Sequence, residues 1–177
     1  MIIGITGFHG AGKSSLAEIM SKKLDWISIN KRDVLRELYG KNQPVDNLTW
    51  EEWYRVLYGK VGAFKVMCMI LDDLKINQNN TPIVFDSIHN MDEWRAIKYI
   101  CHDAILVGVF SPKGVRASRN SQQDEDLDAK RILYWHENVI GEFSCLLAEI
   151  EWAFSGCDTS AVQIKGCYAL RDYLMGK

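Results

Sequence analysis

The chain has 177 residues and a formal net charge of −2, and 47% of its residues are hydrophobic. This length accommodates one well-buried core but not two ordinary domains. The small net charge provides no basic surface for wrapping nucleic acid or for adsorbing to anionic membranes. We therefore expect a single domain over residues 1–177 whose partners are small molecules, with no nucleic acid and no membrane among them.

The start of the chain and its cysteines indicate a cytoplasmic protein. Met1 leads directly into the apolar segment Ile2–Ile5, without the charged and apolar regions of a signal peptide. No apolar stretch approaches the ~20 residues that cross a bilayer. The five cysteines are odd in number, scattered, and contain no Cys-x-x-Cys pair. This pattern favours reduced thiols over a disulfide framework or a zinc site.

The segment Gly7–Ser14 reads Gly-Phe-His-Gly-Ala-Gly-Lys-Ser, which is a complete G-x-x-x-x-G-K-[ST] motif between an apolar strand and a helical pattern. Its glycines allow the backbone to wind tightly, so that successive N–H groups and the following helix N-terminus point at an anion. Lys13 would reach the β- and γ-phosphates, and Ser14 would ligate Mg²⁺. The motif predicts binding of a nucleoside triphosphate. It leaves open whether phosphate is transferred to a substrate, given to water or merely sensed.

Strand and helix patterns alternate after this loop. Trp26–Ile29 is predicted as a short strand and Asp33–Tyr39 as a helix that Gly40 ends. Thr49-x-x-Glu52 resembles a capping box, and apolar residues at spacings of three and four follow it. The spacing predicts one helix of about seven turns from Trp50 to Leu74.

Two further strands are predicted in the middle of the chain. Ile83–Phe85 is a continuous apolar strand that ends at Asp86. Asn90-x-x-Glu93 opens a helix to about Ile100, with Asn90 as its N-cap. Ala104–Phe110 is the next buried strand. Each strand is again followed by polar residues.

The last third of the chain contains a second long apolar stripe, Ala129–Ile150, then a weak strand near Ala161–Ile164 and a terminal helix. Repeated strand–helix units predict a three-layer α/β fold with a parallel sheet of about five strands and a small lid. Together with the loop Gly7–Ser14, this arrangement resembles the P-loop NTPase fold. Ligands of such sheets bind beyond the carboxyl ends of the strands. The segments at those ends are Gly7–Ser14, Lys31–Arg36, Asp86–Asn90 and Ser111–Arg119.

Asp86 is the natural second carboxylate of this site. It can hold Mg²⁺ through water beside Ser14 or take a proton from an acceptor hydroxyl, and the alternative is a helix-capping role. Asp33 and Arg36 lie three residues apart on one helical face. They form either a solvated ion pair or a site where Arg36 forks onto the phosphate of a second substrate.

Two arginines follow the fourth strand. Arg116 and Arg119 precede a polar stretch without apolar periodicity, which indicates either a mobile lid at about residues 119–131 or a hydrophilic loop with salt-bridged ends. His89 is a weaker candidate for contacting substrate, and His136 is expected to pack in the core. Trp50 and Trp53 are interpreted as core residues, with stacking of a substrate base as the alternative.

With these residues assembled, the chain resembles the adenylate-kinase-like branch of the P-loop kinases. This branch includes nucleoside monophosphate kinases, dephospho-coenzyme A kinases and an uncharacterised archaeal family related to both. Gly7–Ser14 corresponds to its phosphate loop, and Asp33-x-x-Arg36 to its acceptor-phosphate motif. Asp86–Asn90 resembles its Asp-Gly-x-Arg-Asn/Ser segment, although Ser87 and His89 stand where that segment has Gly and Arg. Ser111–Arg119 resembles the fourth-strand exit and lid entry.

The resemblance implies an ATP:Mg²⁺-dependent phosphotransferase that acts on a small acceptor, most readily a nucleoside monophosphate. The alternatives are a dephospho-coenzyme A kinase and, from another class, a nucleotide-binding switch or slow ATPase. The implied catalytic residues are Lys13, Asp86, Arg116 and Arg119. The implied ATP site comprises Gly7, Gly10, Ala11, Gly12, Lys13, Ser14, Ser15 and Arg119, the acceptor site Asp33, Arg36 and His89, and the Mg²⁺ site Ser14 and Asp86.

Overall fold

The computed structural model of the protein describes residues 1–41, 48–75, 81–120 and 145–176. Within these residues five strands form one parallel sheet in the order β2-β3-β1-β4-β5. The strands are β1 (Ile2–Thr6), β2 (Ile27–Ile29), β3 (Ile83–Phe85), β4 (Ile105–Phe110) and β5 (Ile150–Ser155). The predicted α/β fold with a parallel sheet of about five strands is confirmed.

Helices connect these strands. Those in the described parts of the chain are α1 (Lys13–Leu24), α2 (Lys31–Lys41), α3 (Trp50–Val61), α4 (Ala63–Asp73), α5 (Met91–Ile100), α6 (Lys113–Asn120) and α7 (Ser160–Met175). No helix among the described residues has the length and apolar character needed to cross a membrane.

Two hydrophobic cores lie on opposite faces of the sheet, because successive side chains of a strand point to opposite faces. Ile2 and Phe85 pack in a core with apolar residues of α2, α4 and α5. Ile3 and Val84 pack in the other core with residues of α1 and α7. The strands are therefore covered on both sides, as a parallel sheet requires, and the molecule has the predicted three layers.

The prediction of one helix from Trp50 to Leu74 is wrong, because two helices meet at Gly62. Gly62 has φ 83° and ψ 152°, a conformation that is nearly exclusive to glycine. The apolar spacing continues across this break, so periodicity did not reveal it. The predicted capping box is confirmed: the Thr49 hydroxyl accepts from the Glu52 N–H, and the Glu52 carboxylate accepts from the Thr49 N–H.

The weak strand predicted near Ala161–Ile164 is also wrong. Those residues lie in the first turns of α7, whose N-cap is Thr159, and the fifth strand is Ile150–Ser155. Only Phe154 of this strand is buried, because β5 is at the edge of the sheet. Its pattern was consequently weak, and Ile150 was assigned to the preceding apolar stripe.

Two smaller predictions can be compared with the structure. Helix α2 begins at Lys31, and Gly40 lies within it rather than ending it. Asn90 is confirmed as the N-cap of α5, since its side chain accepts from the Glu93 N–H. Residues 121–144 lie outside the described residues. They include His136, most of the predicted apolar stripe Ala129–Ile150 and all but the first two residues of the predicted lid at residues 119–131.

Candidate active site

The carboxyl ends of the strands open into a cleft of about 860 Å³. The residues that line it are His9, Gly10, Gly12, Lys13, Ser14, Ser15, Asn30, Lys31, Arg32, Leu35, Tyr54, Asp86, Ser87, His89, Arg119, Gly156, Asp158, Ser160 and Gln163. The predicted segments after β1, β2 and β3 therefore converge on one space. The residues after β5 join them, and the sequence analysis did not identify that segment.

The loop after β1 has the backbone of an anion cradle. Gly7, Gly10 and Gly12 have φ of 147°, 72° and 102°, values that residues with a Cβ rarely adopt. A Cβ at Gly7 would also overlap the carbonyl oxygen of Val109 in β4. Helix α1 starts at Lys13 without an acidic residue in its first turn. Its first N–H groups and its positive dipole end are thus available to phosphate oxygens.

The Lys13 ammonium closes this loop. Its Nζ donates to the carbonyl oxygens of Gly7 and Phe8 at 3.0 Å each. Burial lowers the pKa of Lys13 to about 8; the Asp86 carboxylate counteracts this effect, while Lys31 and Arg116 add to it. An ammonium with a lowered pKa lacks sufficient negative charge nearby, so a phosphate group would stabilise it.

Asp86 is held next to the loop by hydrogen bonds between β1 and the segment after β3. The Ile88 N–H donates to the Ile5 carbonyl at 2.8 Å, and the buried Thr6 hydroxyl donates to the Ile88 carbonyl at 2.9 Å. These bonds place Oδ2 of Asp86 3.5 Å from Oγ of Ser14. Burial raises the pKa of Asp86, and the Lys31 and Lys13 ammonium groups oppose this shift.

The Ser14 and Asp86 oxygens fit a magnesium ion. Mg²⁺ takes oxygen ligands at about 2.0–2.1 Å in octahedral geometry and is commonly held by one or two protein groups together with substrate phosphates. Adjacent ligands at that distance from the ion lie about 2.9 Å apart, so the separation of 3.5 Å between the two oxygens fits an ion that binds one of them directly and the other through a water. The described residues contain no cluster of three His, Cys, Asp or Glu side chains that could hold a metal without phosphate.

The two predicted arginines differ in position. Arg119 lies in the cleft, where Nη1 donates to the Gly10 carbonyl at 3.1 Å and Nη2 to the Gly156 carbonyl at 2.7 Å. It therefore connects the phosphate loop with the β5–α7 loop. Arg116 donates from Nε to the Ser111 carbonyl at 3.1 Å, and its guanidinium carbon lies 4.7 Å from the centre of the Phe8 ring. Arg116 does not line the cleft.

The three predicted acceptor residues are not brought together. Asp33 and Arg36 are exposed, with 3.8 Å between Oδ1 and Nη1, and neither lines the cleft. The Arg36 guanidinium lies 5.7 Å from the Trp50 ring centre. His89 does line the cleft, with Nε2 3.0 Å from the Ser87 hydroxyl. Burial, reinforced by Lys31 and Lys13, lowers the His89 pKa well below its usual value, so the ring is neutral.

Aromatic residues of α3 form a cluster that reaches the cleft at Tyr54. Trp50 and Trp53 belong to a partly buried cluster with Tyr39 and Tyr54, and neither tryptophan lines the cleft. Tyr54 does, and its ring centre lies 4.7 Å from that of Tyr58. A substrate base that enters this end would therefore meet the ring of Tyr54 before either indole.

Sequence reasoning missed several cleft residues for identifiable reasons. Lys31 and Arg32 lie in a segment that was selected for its position after β2, but the acid–base spacing directed attention to Arg36. Gly156 and Asp158 follow β5, and the misplaced fifth strand hid them. Correct placement of β5 would have found them by the same rule, since they directly follow its carboxyl end.

Comparison with known proteins places the chain in a family. It is 31% identical over 147 residues to the UPF0200 protein of Sulfurisphaera tokodaii, and the match covers 79% of this chain and 78% of that protein. The chain belongs to the UPF0200 family. This UPF0200 chain is also 29% identical over 131 residues to a uridine kinase of Macrococcus caseolyticus, a match that spans 73% of the chain but only 59% of that kinase. No family model matches the chain.

Solved structures agree on the fold. A shikimate kinase from Acinetobacter baumannii in complex with shikimate superposes with a TM-score of 0.63 at 14% identity, over 99% of this UPF0200 chain and 94% of the kinase. At this identity the likeness concerns the fold alone. Together the comparisons confirm the resemblance inferred from sequence, a P-loop kinase branch near an uncharacterised archaeal family.

Proposed function

We propose that this UPF0200 protein is an ATP:Mg²⁺-dependent phosphotransferase that moves the γ-phosphoryl group to a small acceptor, with a nucleoside monophosphate as the favoured acceptor. One observation carries the proposal. A single cleft of about 860 Å³ contains the phosphate loop together with a second set of polar residues after β2 and β3. A site for one nucleotide that only senses its ligand would not require this second set.

On the donor side, this chain's residues bind and orient the triphosphate. Lys13 exchanges its two carbonyl acceptors for β- and γ-phosphate oxygens, and the N–H groups of the loop and of α1 hold the remaining oxygens. Arg119, between the Gly10 and Gly156 carbonyls, lies where it can contact the nucleotide. When bound, Mg²⁺ neutralises charge on the phosphates; Ser14 and Asp86 would hold it.

On the acceptor side, Asp86 is the group that can hold a proton. Its carboxylate faces the cleft and has a raised pKa because it is buried, so it can accept a hydrogen bond or a proton from an acceptor hydroxyl. The His89 ring is neutral, so it can hydrogen-bond to the acceptor but offers no positive charge to an anionic group. Positioning and charge neutralisation would supply most of the catalysis.

A hydroxyl acceptor is the second candidate. Two observations favour it: the raised pKa of Asp86, which suits a proton acceptor, and the similarity to a protein named uridine kinase. Uridine and other nucleosides, or the ribose hydroxyl of dephospho-coenzyme A, would then take the phosphoryl group. A regulatory switch or slow ATPase remains the alternative from another class.

The test is a screen of acceptors with ATP and Mg²⁺. ADP formation is followed with four nucleoside monophosphates, the matching nucleosides and dephospho-coenzyme A, and the phosphorylated product is identified by ³¹P NMR. A phosphotransferase forms ADP rapidly only with its acceptor, and Lys13→Ala loses at least ~2–4 kcal/mol of transition-state stabilisation while its melting temperature is preserved. Slow ADP formation that no acceptor accelerates would instead indicate a switch or an ATPase.

A further inference from the structure

Lys31 is a buried lysine in the wall of the cleft. It is the first residue of α2, directly after β2, and it is 7% exposed although it lines the cleft. Its Nζ lies 2.6 Å from Oε2 of Glu93, which is 2% exposed. Lysine is among the residues that are almost never fully buried unless they are paired. The Glu93 contact explains why the charge is tolerated, but not why a lysine forms part of the cleft wall.

The Glu93 carboxylate is shared among several donors. Besides Lys31, it accepts the His89 N–H at 2.8 Å and lies 3.5 Å from the Tyr58 hydroxyl. The ammonium of Lys31 has three N–H donors, yet within the described residues it makes no well-aligned hydrogen bond. The Nζ itself has almost no exposed surface, so a small rotation of the side chain is what would present these unused donors to a ligand in the cleft.

The charge of Lys31 acts on the centre of the cleft. Lys31 lines the same cleft as Lys13, Asp86 and His89, and its positive charge contributes to the pKa shifts of all three. Burial lowers the pKa of His89 well below its usual value, so its ring offers no positive charge to an anion in the cleft. Lys31, with Arg32 next to it in the cleft lining, supplies positive charge at this end.

We propose that Lys31, assisted by Arg32, binds the phosphate monoester of the acceptor, and that Glu93 is the counter-ion that allows the ammonium to be buried there. The inference rests on the proposed two-substrate cleft, but it assigns the acceptor's anionic group to residues other than the exposed Arg36. A lysine is a compact point charge with rotatable donors, so it can keep its Glu93 contact and turn its other N–H donors toward a phosphate without a large movement.

The alternative is that the Lys31–Glu93 pair only fastens α2 to α5. Both roles predict that Lys31→Met destabilises the protein, since a buried Glu93 charge is left without its partner. They differ in what Glu93→Gln and the double variant do. If the pair only fastens α2 to α5, monophosphate affinity should fall and recover together with stability. If Lys31 binds the phosphate, affinity should depend on the presence of the ammonium, whatever the stability of the variant.

The experiment uses isothermal titration of the full chain with AMP, GMP, CMP and UMP, in the presence of a non-hydrolysable ATP analogue and Mg²⁺. For the monophosphate that binds most tightly, we expect Lys31→Met to weaken binding by ~10–150-fold, the loss of one charge-assisted hydrogen bond. Affinity for the ATP analogue should change less than ~3-fold. Lys31→Arg should retain most of the affinity, because it keeps the charge.

Melting temperatures separate the two roles. Glu93→Gln should lower the melting temperature yet keep monophosphate affinity within ~3-fold. The double variant Lys31→Met/Glu93→Gln should regain stability over Lys31→Met without regaining affinity. Lys22→Met, which removes an exposed lysine paired with Glu18 on α1, is the control for loss of a positive charge.

Four outcomes would overturn the inference. The first two are recovery of monophosphate affinity in the double variant and an equal loss of affinity for the ATP analogue and the monophosphate in Lys31→Met. The others are a loss of monophosphate affinity in Arg36→Ala that Lys31→Met does not share, and no binding of any of the four monophosphates. The last outcome leaves the phosphotransferase proposal standing if a nucleoside supports rapid ADP formation in the acceptor screen. Failure of the inference and failure of the proposed function are thus distinguishable.

Discussion

Oγ of Ser14 lies 3.5 Å from Oδ2 of Asp86, although 72 positions separate them in the chain. The topology produces this proximity, because β1 and β3 are parallel neighbours and the two residues follow their carboxyl ends. A hydroxyl and a carboxylate so placed could hold a magnesium ion against a bound phosphate, directly or through its waters.

Asp86→Asn should separate nucleotide binding from turnover. The change keeps the size of the side chain but removes its charge, so affinity for a non-hydrolysable ATP analogue should stay within ~3-fold. Turnover should fall by ~10²–10⁴-fold, the range for losing a general base or metal-holding carboxylate, and the Mg²⁺ requirement should rise. Asp92→Asn, at an exposed carboxylate paired with Arg95 on α5, is the control. Full turnover at an unchanged Mg²⁺ requirement would make Asp86 a structural residue only.

Gly156→Ala should damage the nucleotide site from the side of β5. A Cβ at Gly156 would overlap the carbonyl oxygen of Ala11 in the phosphate loop, and its own carbonyl accepts from Arg119 at 2.7 Å. Overpacking of this kind typically costs about 1–3 kcal/mol. We expect the variant to bind the ATP analogue at least ~10-fold more weakly by titration.

The matched control is Gly40→Ala. Gly40 lies in α2, and a Cβ there would have no neighbour within 4 Å. This variant should bind the ATP analogue like the wild type and gain up to ~1 kcal/mol of stability, because alanine is the better helix former. Equal nucleotide affinity of both glycine variants would show that the β5–α7 loop does not shape the site.

Much of the site could be predicted because its signals are local in sequence. The phosphate loop is one uninterrupted motif, and the apolar strand Ile83–Phe85 ends at Asp86. The capping box at Thr49 and the N-cap at Asn90 each involve residues three positions apart. Local hydrogen bonds of this kind depend on few other parts of the fold.

The features that were missed depend on distant parts of the chain or on backbone conformation. The burial of Lys31 follows from Glu93, which α5 brings across from another part of the sequence. Strand β5 is half-exposed and only its Phe154 is buried. Its sequence therefore lacks the hydrophobic periodicity by which a strand is recognised. At Gly62, periodicity continues through a break that only the backbone dihedrals reveal.

Gly62→Ala should destabilise the protein through backbone strain alone. Its φ of 83° with ψ of 152° is nearly restricted to glycine, while a Cβ there would meet no atom within 4 Å. The expected loss is about 1–3 kcal/mol in urea unfolding. Gly59→Ala, three positions earlier on an exposed part of α3 and equally unobstructed, should instead gain up to ~1 kcal/mol. If the two variants had the same stability, the break between α3 and α4 would not be the glycine-specific turn described here.

Nucleotide affinity should decrease as the pH rises through about 8. Burial lowers the pKa of Lys13 to about 8 in the free protein, against the effect of Asp86 and with that of Lys31 and Arg116. A bound triphosphate favours the protonated ammonium, so binding above this pH must be accompanied by a proton uptake that increases with pH toward one proton. Titration of a non-hydrolysable ATP analogue with Mg²⁺ in two buffers of different ionisation enthalpy measures that uptake. Affinity should weaken at most ~10-fold per pH unit between pH 8 and 9.5, and Lys13→Ala should bind weakly with little proton uptake across the same range. Equal affinity of the wild type at pH 7 and 9.5, or equal uptake in Lys13→Ala, would show that the Lys13 ammonium is not the group that titrates on nucleotide binding.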